Sequence, residues 1–274
     1  MRRLAAILSL LIFVATGLYA GNKSKFPAVD NGGKTAIVAH RGFWKNNEAK
    51  DSQNSFAALS LAQSNGFWGS ECDIHLTADG EIIVNHDPTI DGLTIAEHSY
   101  AELSEHLLQN GEKRPTFDEY LSITRKKRST VLVVEFKAQG SDARDEALIQ
   151  KALKSIKSHG LYNPRRVAFI SFSYYTCKRI AQIAPKFTNQ YLSGNKAPDE
   201  VASDGINGID YNGYVFLEHP DWIECAHKLG MSVNVWTIDN EENMRKCIEY
   251  KVDAITTNEP LKLRGILGDN ELKK

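Results

Sequence analysis

The chain has 274 residues, of which 42% are hydrophobic and 24% are charged. These proportions are typical of globular proteins, and the length suffices for one large core or two modest ones, so disorder is not expected. The formal net charge is −1. Because basic residues are not in excess, we expect no partnership with nucleic acid and no general attraction to anionic membranes. An anionic substrate must therefore be held by local charges.

The first twenty residues have the pattern of a secretory signal peptide. Arg2 and Arg3 form a positive start, and the almost unbroken apolar run Leu4–Val14 is followed by small residues. An uncleaved anchor is the alternative, but the run is shorter than the ~20 residues that span a membrane. We expect cleavage after Gly17 or Ala20, export to the periplasm or cell exterior, and no stable membrane anchor afterwards.

A polar linker is predicted for residues 21–34, and one barrel domain for residues 35–268. In this domain short apolar strands alternate with amphipathic helices. The predicted strands are Ala36–His40, Trp68–His75, Ile82–Asn85, Val131–Phe136, Val167–Ser171, Gln190–Ser193, Gly208–Tyr211, Val233–Trp236 and Ala254–Thr257. The predicted helices are Asn54–Ser64, Thr116–Arg125, Asp145–His159, Tyr174–Ala184, Asp221–Leu229 and Glu241–Tyr250.

The second and third predicted strands are joined by only four residues, Thr77 to Gly80. A parallel crossover cannot be that short, so these strands must form an antiparallel hairpin. Eight parallel strands remain, which predicts an α/β fold, a (β/α)₈ TIM barrel with a hairpin inserted after the second strand. An open doubly wound sheet is the alternative, but no glycine-rich phosphate-binding turn supports it.

Charged side chains occur where the predicted strands end, the face on which a barrel carries its active site. Glu71 and Asp73 share one face of a strand, and Glu135 lies on the strand after the hairpin. A symmetric hairpin register, with the turn centred between residues 78 and 79, sets His86 opposite Glu71 and Val84 opposite Asp73. Three carboxylates and a histidine are thus expected to converge.

Three carboxylates without cysteine ligands favour one divalent cation, Ca²⁺ or Mg²⁺, with zinc the lesser candidate. His40 and His86 beside such a cation suggest an acid and a base, and Arg41 with Lys137 would suit a phosphate. Taken singly, each is also typical of an ordinary structural residue. Together they predict cleavage of a small phosphodiester.

Of the four cysteines, none has the CxxC spacing of a zinc or redox site. Buried free thiols are expected, although a bridge between Cys225 and Cys247 is conceivable in an oxidising compartment.

The ordered motifs of this chain resemble those of the glycerophosphodiester phosphodiesterase family, from about residue 36 to about residue 262. They are Ala39-His40-Arg41-Gly42, Glu71-Cys72-Asp73-Ile74, Asp79-Gly80, Val84-Asn85-His86-Asp87, Val134-Glu135-Phe136-Lys137, Val235-Trp236-Thr237 and Ile255-Thr256-Thr257-Asn258-Glu259-Pro260. The resemblance implies a TIM barrel that hydrolyses glycerophosphodiesters to an alcohol and glycerol 3-phosphate.

The resemblance also implies the roles of individual residues. His40 and His86 would be the catalytic acid/base pair, and Glu71, Asp73 and Glu135 the metal ligands. The predicted substrate-binding residues are Arg41, Lys137, Asn54, Phe172 and Trp236, although the two aromatic residues are equally compatible with packing. A substrate hydroxyl would attack phosphorus as one histidine takes its proton, the other histidine would protonate the leaving alkoxide, and water would open the cyclic phosphate.

Two departures from the family pattern bear on substrate preference. Ser52-Gln53-Asn54-Ser55 stands where the family usually has Pro-Glu-Asn-Thr, so Gln53 lacks a charge that would orient Arg41 or polarise the site, while Ser52 is expected to cap the following helix. Asn258 replaces the more usual aspartate. The alternatives are a phosphodiesterase for a lysophospholipid, phosphoinositol or teichoic-acid type of diester, and a barrel that binds phosphorylated ligands without turnover. The sequence does not indicate the oligomeric state.

Overall fold

The computed structural model describes the backbone of residues 35–272 and the side chains of residues 35–268. The predicted signal peptide, residues 1–20, and the predicted linker, residues 21–34, lie outside the described residues. Within residues 35–272, none of the helices has the length and apolar character needed to cross a bilayer.

Strands and helices alternate along most of the described chain. The strands are β1 (Ala36–Ala39), β2 (Gly69–Leu76), β3 (Ile82–Val84), β4 (Thr89–Ile90), β5 (Leu93–Thr94), β6 (Val131–Phe136), β7 (Val167–Ser171), β8 (Asn189–Tyr191), β9 (Gly208–Asn212), β10 (Ser232–Trp236) and β11 (Ala254–Thr257). The helices are α1 (Phe56–Ser64), α2 (Tyr100–Leu103), α3 (Phe117–Thr124), α4 (Asp142–Ser158), α5 (Tyr174–Ile183), α6 (Pro198–Ser203), α7 (Gly213–Glu218), α8 (Asp221–Lys228), α9 (Glu241–Glu249) and α10 (Pro260–Leu272). The sequence did not predict the short elements of residues 89–103, nor α6, α7 and α10.

Eight of these strands form a closed parallel barrel in the order β1-β2-β6-β7-β8-β9-β10-β11, and β1 closes it by pairing with both β11 and β2. Helices cover the outside. The predicted TIM barrel is therefore confirmed, and the strands begin and end within two residues of their predicted bounds. All eight strands run the same way, so their carboxyl ends meet at one rim.

β3 pairs antiparallel with β2, which confirms the predicted hairpin, but the predicted register is wrong by one residue. Val84 pairs with Ile74 rather than with Asp73. The turn contains three residues, 78–80, because Gly80 adopts a positive φ of 76° and its N–H bonds the carbonyl of Thr77. A three-residue turn with a left-handed glycine adds one residue to the two-residue turn assumed from the sequence.

Apolar side chains pack in two places, inside the barrel and between the barrel and its helices. The interior cluster consists of small and branched residues, among them Val38, Val133 and Ile170. Larger clusters lie outside the strands, against the helices. Because side chains alternate along a strand, Cys72 and Ile74 join the outer cluster, and the intervening Glu71 and Asp73 face the barrel interior.

The α1 helix begins at a serine other than the one predicted. The hydroxyl of Ser55 accepts the N–H of Ala58, so Ser55 is the N-cap. The prediction that Ser52 caps the helix is wrong, since its hydroxyl accepts the N–H of Asn110. That contact, together with Glu112 accepting the N–H groups of the first helical residues, fastens the segment 89–113 to the rim.

The four cysteine thiols are free, so the conceivable bridge between Cys225 and Cys247 is not formed.

Candidate active site

Three acidic side chains meet at the carboxyl ends of β2 and β6. Glu71 and Asp73 lie on β2, and Glu135 on β6 is the register partner of Asp73. One carboxylate oxygen from each lies within 4.8 Å of the others. The three residues are only 2%, 1% and 7% exposed. The predicted convergence of carboxylates is therefore present in the fold.

Burial and mutual repulsion make this cluster costly without a counter-charge. Burial, followed by the charges of Asp73 and Glu135, raises the pKa of Glu71 well above its ordinary value. Burial and the charge of Asp73 raise the pKa of Glu135 to about 7. Asp73 is different: burial opposes its ionisation, but Lys137 and His86 outweigh burial and lower its pKa.

Lys137 supplies the nearest positive charge. Its Nζ lies 2.8 Å from Asp73 Oδ1 and 2.7 Å from Glu135 Oε1. Burial acts to lower the pKa of Lys137, but these two carboxylates outweigh it and raise that pKa. One ammonium cannot neutralise three ionised carboxylates, so full ionisation of the cluster requires further positive charge.

The donor set fits a hard divalent cation. Oxygen atoms of three carboxylates are the ligands that Ca²⁺ and Mg²⁺ prefer, and no thiolate or imidazole among the described residues belongs to the cluster. Within the described part of the chain, the buried Glu71 Oε1 has no hydrogen-bond partner. A buried acceptor without a donor is costly unless something else binds it, and a cation would do so. The cluster can therefore hold a metal ion.

The loop between β1 and α1 holds these carboxylates in place. Arg41 has a φ of 54°, and its backbone N–H donates to Glu71 Oε2 at 2.7 Å. The amide of the buried Asn54 donates to Asp73 Oδ2 at 2.8 Å and accepts the N–H of Asp73 at 3.3 Å. The prediction that Asn54 binds substrate stays a prediction, because its observed contacts are with Asp73.

The guanidinium of Arg41 spans the space between this loop and the cluster. Its Nη1 donates to Gln53 Oε1 at 2.5 Å, and its Nε lies 3.9 Å from Asp73 Oδ2. Gln53 thus still makes a hydrogen bond to Arg41, although without the charge that a glutamate would bring.

His40 follows β1 and lies at the centre of several polar contacts. Its Nδ1 is 2.9 Å from Asn258 Oδ1, and its Nε2 accepts the Nε–H of Arg41 at 3.3 Å. Burial and the neighbouring charge of Arg41 lower the pKa of His40 to about 4. The imidazole is therefore neutral at pH 7.

His86 approaches the cluster from the loop that follows β3. Burial lowers its pKa, and Lys137 and Arg41 act in the same direction, against the carboxylate of Asp73. Its Nδ1 lies 2.7 Å from Asp87 Oδ1. The half-exposed His86 thus lies among the same charged groups as His40, although the register that led to this expectation is wrong.

Phe172 and Trp236 meet at the rim, where β7 and β10 end. Their rings are edge to face with centroids 5.4 Å apart, and Trp236 Nε1 donates to the carbonyl of Asp210 at 2.9 Å. Phe172 is 42% exposed. An exposed aromatic side chain at this rim suits the predicted contact with substrate, which stays a prediction.

Sequence reasoning missed four polar residues around the site. His75 Nε2 donates to the carbonyl of His86 at 3.1 Å, and Asp239 hydrogen-bonds the Asn258 that contacts His40. The i, i+2 spacing from Asp73 was a signal for His75, and the position of Asp239 after a strand end was one for that residue. Trp44 and the buried Asp210 carried no comparable signal.

Comparisons with known proteins agree with this geometry. The sequence model of the Glycerophosphoryl diester phosphodiesterase family matches residues 40–262. The chain belongs to this family. The resemblance noted from its motifs is thereby confirmed, and the chain is a phosphoric diester hydrolase of the glycerophosphodiester phosphodiesterase type.

Individual relatives extend over nearly the same region. A glycerophosphodiester phosphodiesterase of Caldanaerobacter subterraneus subsp. tengcongensis is 27% identical over 241 residues, which are 83% of this chain and 95% of that protein. The crystal structure of a glycerophosphodiester phosphodiesterase from Parabacteroides distasonis has 36% identity and a TM-score of 0.84, covering 87% of this chain and 98% of that one.

A third relative was solved with a product of such a reaction. An Oleispira antarctica phosphodiesterase in complex with sn-glycerol-3-phosphate has 21% identity and a TM-score of 0.72, covering 86% of this chain and 97% of that one. At this identity the similarity shows a shared fold.

Proposed function

We propose that this chain hydrolyses glycerophosphodiesters to an alcohol and glycerol 3-phosphate, in a reaction that requires a divalent cation and uses His40 and His86 as the acid/base pair. The observation that carries the proposal is the buried triad of Glu71, Asp73 and Glu135 beside the imidazoles of His40 and His86. Membership of the family and the glycerol 3-phosphate held by the Oleispira protein support the substrate class.

The three carboxylates would hold Ca²⁺ or Mg²⁺, which when bound offsets negative charge on the phosphoryl oxygens. The chain's own cations contribute in the same way. Lys137, at 2.7–2.8 Å from two of the carboxylates, and Arg41, oriented by Gln53, present donors to the same space. Stabilising charge that develops in the transition state is usually the largest catalytic effect.

The two histidines would move the protons. As the glycerol hydroxyl next to the phosphoester attacks phosphorus, one neutral imidazole takes the hydroxyl proton, and the other histidine, in its protonated imidazolium form, gives a proton to the departing alkoxide. The P–O bond to the alcohol breaks as the new P–O bond forms, which leaves a cyclic glycerol phosphate. Water then opens the cycle with the proton roles reversed, giving glycerol 3-phosphate.

We also propose where the reaction takes place. The charged start and apolar run of residues 1–20 support export across the inner membrane, with the mature enzyme in the periplasm or outside the cell. The barrel, as one domain over residues 35–268, would then act on diesters that reach this compartment.

The test compares wild type with His40→Ala and His86→Ala. Both variants should lose about 100-fold or more in kcat, because a positioned acid or base contributes about that much. Calorimetric titration with Ca²⁺ and Mg²⁺ should show metal binding retained in both. If His86→Ala keeps full activity, the acid/base pairing is wrong; if wild type binds glycerol 3-phosphate without turning over any diester, the barrel is a binding protein.

A further inference from the structure

Asn258, at the start of the loop after β11, is held from two sides. On one side its Nδ2 lies 2.8 Å from Asp239 Oδ2, and its backbone N–H donates to Asp239 Oδ1 at 2.8 Å. On the other side its Oδ1 faces both His40 Nδ1, at 2.9 Å, and the indole Nε1 of Trp44, at 3.1 Å. Thr257 completes the cluster, since its hydroxyl donates to Asp239 Oδ1 at 3.0 Å.

The chemistry of these partners allows only one orientation of the Asn258 amide. A carboxylate accepts hydrogen bonds and cannot donate them, so the amide group beside Asp239 must be the NH₂. An indole N–H donates and cannot accept, so the atom beside Trp44 must be the carbonyl oxygen. Both constraints leave Oδ1 facing His40.

A carbonyl oxygen beside His40 requires a proton on the facing ring nitrogen. Nδ1 of the neutral imidazole must then carry the hydrogen, and Nε2 must have the free lone pair. The contact at Nε2 agrees, because it accepts the Nε–H of Arg41. The ring nitrogen that is free to accept a proton is thus directed away from Asn258.

We propose that Asp239 and Trp44 are positioning residues for the reaction: by orienting the Asn258 amide they fix the tautomer of His40 with Nε2 as proton acceptor. This inference rests on the proposed function of His40. It gives Asp239 and Trp44, neither of which contacts the carboxylate triad in the described structure, a role in presenting the imidazole.

The same geometry explains the asparagine at position 258. An aspartate there would set its carboxylate against that of Asp239 at about the distance of a hydrogen bond, and two like charges in contact repel strongly. Asp239 therefore requires an amide partner. Exchanging the two residues should preserve the contact between them, because the amide would then be at 239 and the carboxylate would still accept from His40 and Trp44.

The exchange provides the kinetic test. Asn258→Asp alone and Asp239→Asn alone should each lower kcat by about 30-fold to 100-fold with KM changed less than about 3-fold, since the proton acceptor is misplaced while substrate binding is not. The double variant should recover kcat to within about 5-fold of wild type. Lys262→Ala is the matched control: it removes the exposed hydrogen bond to the backbone carbonyl of Asp239 and leaves the Asp239 carboxylate with Asn258, so kcat should change less than about 3-fold.

The structural readout is independent of turnover. Long-range ¹H–¹⁵N spectra of the imidazole groups at pH 7, with the His40 signals assigned by their loss in His40→Ala, distinguish the two tautomers. Wild type and the double variant should carry the proton on Nδ1, and Asp239→Asn should give a mixture. A proton on Nε2 in wild type, or single-variant effects that multiply in the double variant, would overturn the proposal. A wild type that shows the expected tautomer but cleaves no diester would instead contradict only the proposed function.

Discussion

Glu135→Gln should change the stability of the protein in opposite directions with and without metal. The substitution removes one charge from the buried triad and nearly preserves the shape of the side chain. The ionised Glu135 is destabilising in the metal-free fold, since burial and Asp73 raise its pKa to about 7 from an ordinary value of 4.5. The variant should therefore be more stable than wild type in EDTA at pH 8.

The magnitude follows from proton linkage. Below pH 4.5 the carboxyl is protonated in both states and costs nothing. Between pH 4.5 and about 7 the unfolded chain loses the proton while the folded chain keeps it, so the free energy of unfolding falls as pH rises. The full cost above pH 7 is about 3 kcal/mol at about 1.4 kcal/mol per pH unit. The attraction of Lys137 is already included in this pKa, so the variant, whose amide resembles the protonated carboxyl, should be more stable than wild type by up to about 3 kcal/mol.

Urea denaturation at pH 5 and pH 8, in EDTA and in excess Ca²⁺ or Mg²⁺, measures these differences. Metal at about 1,000 times its dissociation constant should stabilise wild type by about 4.1 kcal/mol and the variant much less, so the order of stability reverses. Glu146→Gln is the matched control: Arg179 lowers the pKa of Glu146, so this substitution should be slightly destabilising at pH 8, with or without metal. A Glu135→Gln variant less stable than wild type in EDTA at pH 8 would refute the electrostatic reasoning.

Three further predictions concern the support of the site. Asn54→Gly keeps the left-handed backbone but removes both hydrogen bonds to Asp73, so it should weaken metal binding about 10-fold to 100-fold, as measured by calorimetry. Unchanged affinity would show that the Asn54 amide does not orient Asp73 as a metal ligand. Gly42→Ala should lower the free energy of unfolding, measured with urea, by about 3 kcal/mol, since its Cβ would lie 2.7 Å from a side chain of α1. Gly66→Ala, also at positive φ but in open space, should lower it by only about 1 kcal/mol. Equal losses in the two variants would contradict the steric argument. Wild-type metal affinity should rise from pH 6 to pH 8 as protons leave Glu135, and a pH-independent affinity would exclude that competition.

Much of the fold was predictable because the burial of a strand and the length of a connection can be read from short segments of the sequence. Nearly continuous apolar segments identified the barrel strands, and the short connection before Ile82 required a hairpin. The register was not predictable in the same way, since it depended on whether Gly80 extends the turn to three residues. The helices α6 and α7 are short, and their few residues carry too little periodicity to be recognised.

The active site was likewise predictable only in part. Glu71, Asp73 and Glu135 were predictable because strand periodicity and strand order together determine which side chains converge. Asp239 carried a signal in its position after a strand end, whereas Trp44 carried none, because it contacts Asn258 across loops that are far apart in the sequence. Such contacts are determined by the closure of the barrel, which brings the first and last strands together.

The most direct measurement is phosphorus NMR of the products formed from glycerophosphocholine and glycerophosphoethanolamine, with Ca²⁺, with Mg²⁺ and with EDTA. We predict sn-glycerol 3-phosphate and the free alcohol as products, in a reaction that EDTA abolishes and a divalent cation restores. Turnover that is indifferent to EDTA, or release of glycerol with a phosphorylated head group, would contradict the account.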